Sequence, residues 1–204
     1  MAKLKAPLLS LGASGAIGKS LVYFPWKGLD VVREYVIPSN PRSSKQVTQR
    51  NLLADAVAEF HATGYDEDDM TAWALFASTF ATPRTGFNAM VRAYVMQALG
   101  TGTWWRMHDV SVTPLAGGGA TVTCQTLETV PAMLGCRYGY SKNSQPNSVG
   151  AASIEDGLAT WTIPARTEGK EVYLFLSQQP VTYKDKTYYQ GRTGLYHYTA
   201  LAAE

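Results

Sequence analysis

Residues 13–20 read ASGAIGKS: a small residue, four spacers, then Gly18-Lys19-Ser20. That spacing matches a P-loop, whose backbone amides cradle phosphates while its lysine reaches them. The chemistry requires a buried strand before the glycines and a helix after the serine, so that the helix N-terminus faces the anion. Here LVYFPWKG follows Ser20. Pro25 would fall in the second turn of such a helix and cost about 3 kcal/mol. The preceding PLLSL is short and interrupted, and no later apolar run ends in an acid placed to hold magnesium. The segment is therefore expected to pleat, with Gly15 and Gly18 loosening the start of a hairpin and no nucleotide cofactor held there.

The other reactive residue types are scattered. His61, His108 and His197 belong to different predicted elements, and Ser14 in GASGA lacks the G-x-S-x-G frame of a nucleophile elbow. Cys124 and Cys136 form no CxxC and have no histidine cluster beside them. Zinc is not expected, and small buried thiols are the default, with a disulfide as the alternative. Asp66–Asp69 are four consecutive acids, not the alternating ligands of a calcium loop, and they suit the positive end of a helix. No catalytic, cofactor-binding or metal-ligating set emerges, and the chain is read as a non-enzyme.

The elements that must carry these residues follow from periodicity. Val, Tyr, Phe and Trp from Lys19 to Ile37, with a turn signal at Pro25 to Gly28, predict strands over roughly Ser20–Phe24 and Leu29–Ile37. Pro38 and Pro41 end the second strand. A helix capped by Ser43 or Ser44 runs to about Ala62, with Leu53, Val57 and Phe60 on one face. Gly64 stops it. A second helix begins in the acidic cluster with Met70, Trp73, Ala74 and Ala77 inward. A third runs from Thr85 to about Leu99 with Phe87, Met90, Val91, Tyr94, Val95 and Ala98 as its stripe.

After GTGTWWRMHD the period changes to two. Val110 and Val112, then Ala120, Val122 and Cys124, alternate with polar residues. So do Leu134, Cys136, Tyr138 and Tyr140; Ala159, Trp161 and Ile163; Val172, Leu174 and Leu176; and finally Leu195, Tyr196 and Tyr198. Short strands with turns between them predict a β-sandwich. Long loops are expected around Ser141–Ser153 and Gln178–Tyr188. The fold class is α+β: a hairpin-plus-helices assembly domain over 1–103 and a β-sandwich domain over 104–204.

Of the 204 residues, 46% are hydrophobic and the formal net charge is +2, which fits a globular chain. No apolar run approaches the ~18–20 residues of a membrane helix. The opening MAKLKAPLLSLGASGA imitates a signal peptide, but Pro7 and Ser10 break its apolar stretch, so secretion through it is not expected. Residues 1–50 hold eight Lys/Arg against two acids, residues 51–110 three against seven, and the remainder seven against seven. Such a basic head can dock on an acidic partner, yet it lacks the dense cluster that marks a nucleic-acid site.

Residues 109–201 resemble a fibronectin type III or related immunoglobulin-like domain, carried by DVSVTPLAGGGATVTC, ATWTIPARTEGKEVYLFLS and GLYHYTAL. Residues 15–100 are similar to small structural proteins encoded among the virion genes of tailed bacteriophages and prophages. The matching positions are Val32, Arg33, Pro38, Asn40, Pro41, Gln46, Arg50, Trp73, Gly86 and Phe87. The resemblance implies a virion protein assembled in the host cytoplasm: a capsid decoration part, or alternatively a neck or tail component. Its partners would be other virion subunits, in a homo-oligomer or in many copies, with no membrane and no nucleic acid.

Val32, Arg33, Asn40, Pro41, Gln46, Gln49 and Arg50 are the interaction candidates. The hairpin carries more apolar surface than two strands bury, so it pairs with another subunit or folds onto its own helices. Trp104, Trp105, Tyr188, Tyr189 and Tyr196 offer a second candidate, an aromatic platform for a host cell-surface glycan, against the simpler reading of core and hinge packing.

Overall fold

The computed structural model describes residues 2–4, 14–37, 39–40, 42–62, 64–126, 135–150, 153–155, 157–178 and 180–203, with backbone alone for 2–4 and 153–155. The expectations for Lys5, Pro7, Ser10, Ala13, Pro38, Pro41 and Leu134 lie outside the described residues. The class is α+β: three helices and several antiparallel sheets. The chain divides into two compact units, Met1–Gln46 and Val47–Glu204. The change of period near residue 104 marks a change of secondary structure, whereas the compact units divide within the first turn of the first helix, Ser44–Phe60.

The first unit contains β1 Ala2–Leu4, β2 Gly15–Ile17, β3 Leu21–Trp26 and β4 Leu29–Glu34 in one antiparallel sheet of order β1-β4-β3-β2. The β3–β4 turn is shorter than the expected Pro25–Gly28. Lys27 and Gly28 alone form it, with φ of 50° and 77°, and Trp26 pairs Leu29. Both central residues at positive φ is the primed hairpin turn that matches strand twist. Pro25 instead lies inside β3, beyond the reach of β2, which pairs only Leu21–Tyr23. A missing N–H is tolerated at such an edge. Tyr35 to Ile37 continue past β4 outside the sheet.

Next comes α1 Ser44–Phe60, where Ser43 Oγ accepts from the Gln46 N–H at 3.4 Å. In the second unit α1 buries Ala56, flanked by Leu52 and packed with Val91 and Val95. The expected Leu53–Val57–Phe60 face is corrected at Leu53, which is 49% exposed. α2 Glu67–Ala77 opens on a capping box between Asp66 and Asp69. It buries Ala72, Trp73 and Ala77, while Ala74 is exposed. α3 Gly86–Leu99 is capped by the Thr85 side chain, which accepts from the Asn88 N–H, and it ends at Gly100.

The strands β5 Met107–Pro114, β6 Ala120–Thr126, β7 Gly135–Gly139, β8 Asn147–Gly150, β9 Ser153–Glu155, β10 Leu158–Ile163 and β11 Glu171–Ser177 follow. After them come β12 Pro180–Tyr183, β13 Lys186–Tyr189 and β14 Tyr196–Thr199. Two four-stranded antiparallel sheets result, β5-β6-β10-β9 and β14-β11-β7-β8. The alternating residues of both sheets share one core: Val122, Cys124, Ala159, Trp161 and Ile163 with Cys136, Tyr138, Val172, Leu174, Leu176 and Tyr198. Tyr140, expected to continue the β7 alternation, is exposed just past the strand end. The predicted long loop at Gln178–Tyr188 is instead a hairpin, β12–β13, turned by Lys184 and Asp185 at φ 50° and 58°.

Candidate functional site

The P-loop match is resolved by pairing. Ile17 faces Leu21 across β2–β3, so Gly18, Lys19 and Ser20 are the turn of a hairpin, closed by a Ser20 N–H bond to the Ile17 carbonyl at 3.3 Å. The residues after Ser20 form the strand β3 and not a helix.

The same sheet leaves several large apolar side chains exposed. Side chains alternate, so Val22, Phe24, Trp26, Leu29, Val31 and Arg33 lie on one face and Leu21, Tyr23, Val32 and Glu34 on the other. Val31 is buried, and the Arg33 guanidinium lies 5.4 Å from the centre of the Phe24 ring. At the hairpin tip the cross-strand pair Trp26 and Leu29 is 53% and 47% exposed. Ile17, Val36 and Ile37 are exposed as well. Of the predicted contact residues, Val32 is half-buried in β4, and Arg33 and Asn40 are exposed. Pro41 is outside the described residues. Gln46, Gln49 and Arg50 fall in the exposed first turns of α1 at the i, i+3, i+4 spacing of one helical side.

The aromatic candidates do not form one platform. Trp104 and Trp105 are half-buried. Trp104 packs 5.2 Å from Tyr94 and donates its indole N–H to Glu59 at 3.2 Å. Tyr196 is buried and donates to Asp69. Tyr189 meets Phe175 edge-on at 5.5 Å, and Tyr188 lies beneath Arg92.

Two carboxylates, the half-buried Glu59 and the buried Asp69, organise the second unit, and sequence reading assigned neither beyond a cap. Glu59, near the end of α1, accepts Arg106 Nε at 2.7 Å and Nη2 at 2.6 Å, Tyr65 Oη at 3.0 Å and Trp104 Nε1. Burial pushes its acid constant up, but the hydrogen bonds and charge of Arg106 outweigh that and hold it below the ordinary carboxylate value. Asp69 reaches further. β5 shifts register between His108 and Ser111, with Asp109 at φ 55°. Such a bulge leaves an N–H without a ladder partner. The Asp109 N–H donates instead to Asp69 Oδ2 at 2.8 Å, while Tyr196 donates to Oδ1. Burial raises the Asp69 constant, opposed by these same bonds.

Both hubs saturate their oxygens with protein donors, an arrangement that fixes structure. Cys124 and Cys136 are free and buried, and burial pushes the Cys136 thiol up to about 12 and Cys124 higher still. A thiol so shifted is not a nucleophile near neutrality. His61 packs on Phe60 and Phe87, His197 pairs Glu171 at the surface at 2.9 Å, and His108 keeps both ring nitrogens enclosed without a partner. Among the described residues no three or more His, Cys, Asp or Glu group to hold a metal, and no helix is long and apolar enough to cross a membrane. No protein-family model and no curated protein matches the chain.

Proposed function

We propose that this protein is a structural component of a bacteriophage virion with no catalytic role, most consistent with a capsid decoration part. The observation that carries the reading is the N-terminal sheet. It is a compact unit of its own, it presents the cross-strand pair Trp26 and Leu29 at its tip, with Ile17, Val36 and Ile37 exposed at the opposite end of the strands, and it sits in the basic part of the chain. Aromatic and aliphatic side chains left open at a hairpin tip favour a protein contact there. Arg33, Asn40, Gln46, Gln49 and Arg50 would supply hydrogen bonds around the apolar contact.

The strand order β5-β6-β10-β9 and β14-β11-β7-β8 supports an immunoglobulin-like domain, since it reproduces the four-strand and three-strand sheets of that fold with one strand added. The departures are that the cysteines lie on β6 and β7, unbonded, and that the core tryptophan is on β10. In this reading the domain is the part presented outward. The test is mass spectrometry of purified particles, in which the chain is expected at many copies. A Trp26→Ser, Leu29→Ser variant should fold in its second unit and lose at least tenfold in incorporation. Particles lacking the wild-type chain, or carrying the variant at full copy number, refute it.

A further inference from the structure

A cavity of about 210 Å³ opens where α2, α3 and the β12–β13 hairpin meet. Its walls are aromatic: Phe76 from α2, Phe80 from the turn after it, and Tyr188 and Tyr189 from β13. Its charged groups are two guanidiniums, Arg92 from α3 and Arg192 from the segment before β14, and Thr187 also lines it. No acid lines it.

Arg192 is the unusual member. Its guanidinium is clamped between the rings of Phe76 and Phe175, 3.7 Å and 4.0 Å from their centres. Its Nε is enclosed with no hydrogen-bond partner. Among the described residues no carboxylate pairs with Arg192. Burial without a counter-charge pulls its acid constant down to about 9. Arg92 lies 5.3 Å from the Phe80 ring centre and 5.7 Å from that of Tyr188, again with no acid. Arg84 covers Phe80 and Arg137 covers Tyr189, adding two more cations around the same rings.

Ring faces repay part of the cost of enclosing a guanidinium. They leave its in-plane N–H fork unused, and that fork matches a planar carboxylate in two parallel bonds. The flat walls beside the fork suit an apolar body attached to the anion. We infer that this cavity binds a carboxylate borne on an aromatic or apolar group, with Arg192 and Arg92 holding the anion and the Phe76, Phe80, Tyr188 and Tyr189 rings holding the body. Two sources present that chemistry, a small aromatic acid and the C-terminal residue of a peptide. The inference stands apart from the virion reading, since it uses no residue of the N-terminal sheet.

The full chain is titrated with 3-phenylpropionate, with its neutral amide, and with Gly-Gly-Phe bearing either a free or an amidated C-terminus. Binding is followed by backbone amide shifts over residues 186–192. Saturable binding of either free acid is expected, at least tenfold tighter than that of its amide, because the amide forfeits the charge-assisted bonds. A tighter complex with Gly-Gly-Phe identifies the peptide source, and a tighter one with phenylpropionate the small acid. Arg92→Gln, on a half-buried helical position, keeps the fold and should weaken binding about tenfold. Arg192→Met should abolish it, with its thermal melt reporting whether the domain is intact. No saturation by either acid, amides that bind equally, or full binding by a folded Arg192→Met variant overturns the assignment.

Discussion

Replacing Glu59 by glutamine should cost the second unit about 2–3 kcal/mol. The carboxylate collects four hydrogen bonds, two of them from Arg106 at 2.7 and 2.6 Å. Charge-assisted bonds contribute about 1.5–3 kcal/mol each, and one-sided removal of a fully buried partner costs about 3–5 kcal/mol. The side chains of Arg106 and Glu59 are 22% and 13% exposed, so water reaches the pair and the cost falls below that of a fully buried one. Glutamine keeps the shape but turns an N–H₂ toward the guanidinium. With a urea slope of about 2 kcal/mol/M, the unfolding midpoint should fall by about 1–1.5 M at pH 7.

The pH dependence carries a sign. The folded Glu59 constant lies below its ordinary 4.5, so its contribution is complete above that value and drains away as pH falls through the folded constant. Wild type and variant should therefore converge as pH falls through the folded constant, below the ordinary carboxylate value. Replacing both partners, Glu59→Met with Arg106→Met, should recover most of the loss, because no charge is stranded. A midpoint change under about 0.3 M for Glu59→Gln, or a double variant no better than the single, refutes the view that this pair ties α1 to the segment before β5.

Gly194→Ala should lower stability by about 2–3 kcal/mol in thermal unfolding, since its Cβ would sit 2.5 Å from the Ala72 carbonyl carbon; Gly169→Ala, with φ +70° and open space, should lose only about 1 kcal/mol. Trp73→Ala removes a fully buried ring beside Met90 and should cost about 3–5 kcal/mol in urea unfolding. The folded Asp69 constant is raised above 3.8, so wild type should gain stability relative to Asp69→Asn as pH falls toward 3.8; a parallel pair of stability–pH curves defeats that reading. Lys19→Ala sits in a hairpin turn and should shift the melting free energy by under about 0.5 kcal/mol, and ATP should leave wild type and variant alike unmoved in a thermal-shift assay.

Where local signals agreed, the elements were legible. α3, expected over Thr85 to about Leu99, runs over Gly86–Leu99 with Thr85 as its cap, and Met90, Val91 and Val95 of its expected apolar stripe are buried. The alternation Ala159, Trp161, Ile163 and Val172, Leu174, Leu176 named core residues correctly, although the second half of β11 buries Phe175 and Ser177 on its other face as well. α1 misled because its fully buried residue is the small Ala56, which weighs little in a pattern dominated by Leu53 and Val57. The β12–β13 hairpin hid because its turn is Lys184-Asp185, and lysine at positive φ announces no turn. The Arg192 cavity had no signal at all. QGRTG reads as a surface turn, and nothing local says that Phe76, over a hundred positions earlier, closes on that arginine.

The two carboxylate hubs explain why a change of periodicity failed to mark the edge of a compact unit. An amphipathic stripe lets helices bury against any apolar surface, and α1 with Leu53 exposed has a poor stripe. Glu59 compensates by reaching partners 45 and 47 positions ahead, Trp104 and Arg106. Asp69 binds the bulged N–H 40 positions on and the Tyr196 hydroxyl 127 positions on, joining the start of α2 to β5 and to β14. The Leu195 N–H adds a backbone bond to the Ala72 carbonyl at 2.9 Å. Separating the helices from the strands would give up these bonds, at a net cost of about 0.5–1.5 kcal/mol each and more where a charge takes part. Polar groups thus make helices and sheets one cooperative body where apolar patterning alone is too weak. Deleting either acid should therefore broaden the unfolding transition of residues 47–204, splitting helices from strands in hydrogen exchange, whereas a core truncation such as Trp73→Ala should lower the transition and leave it single.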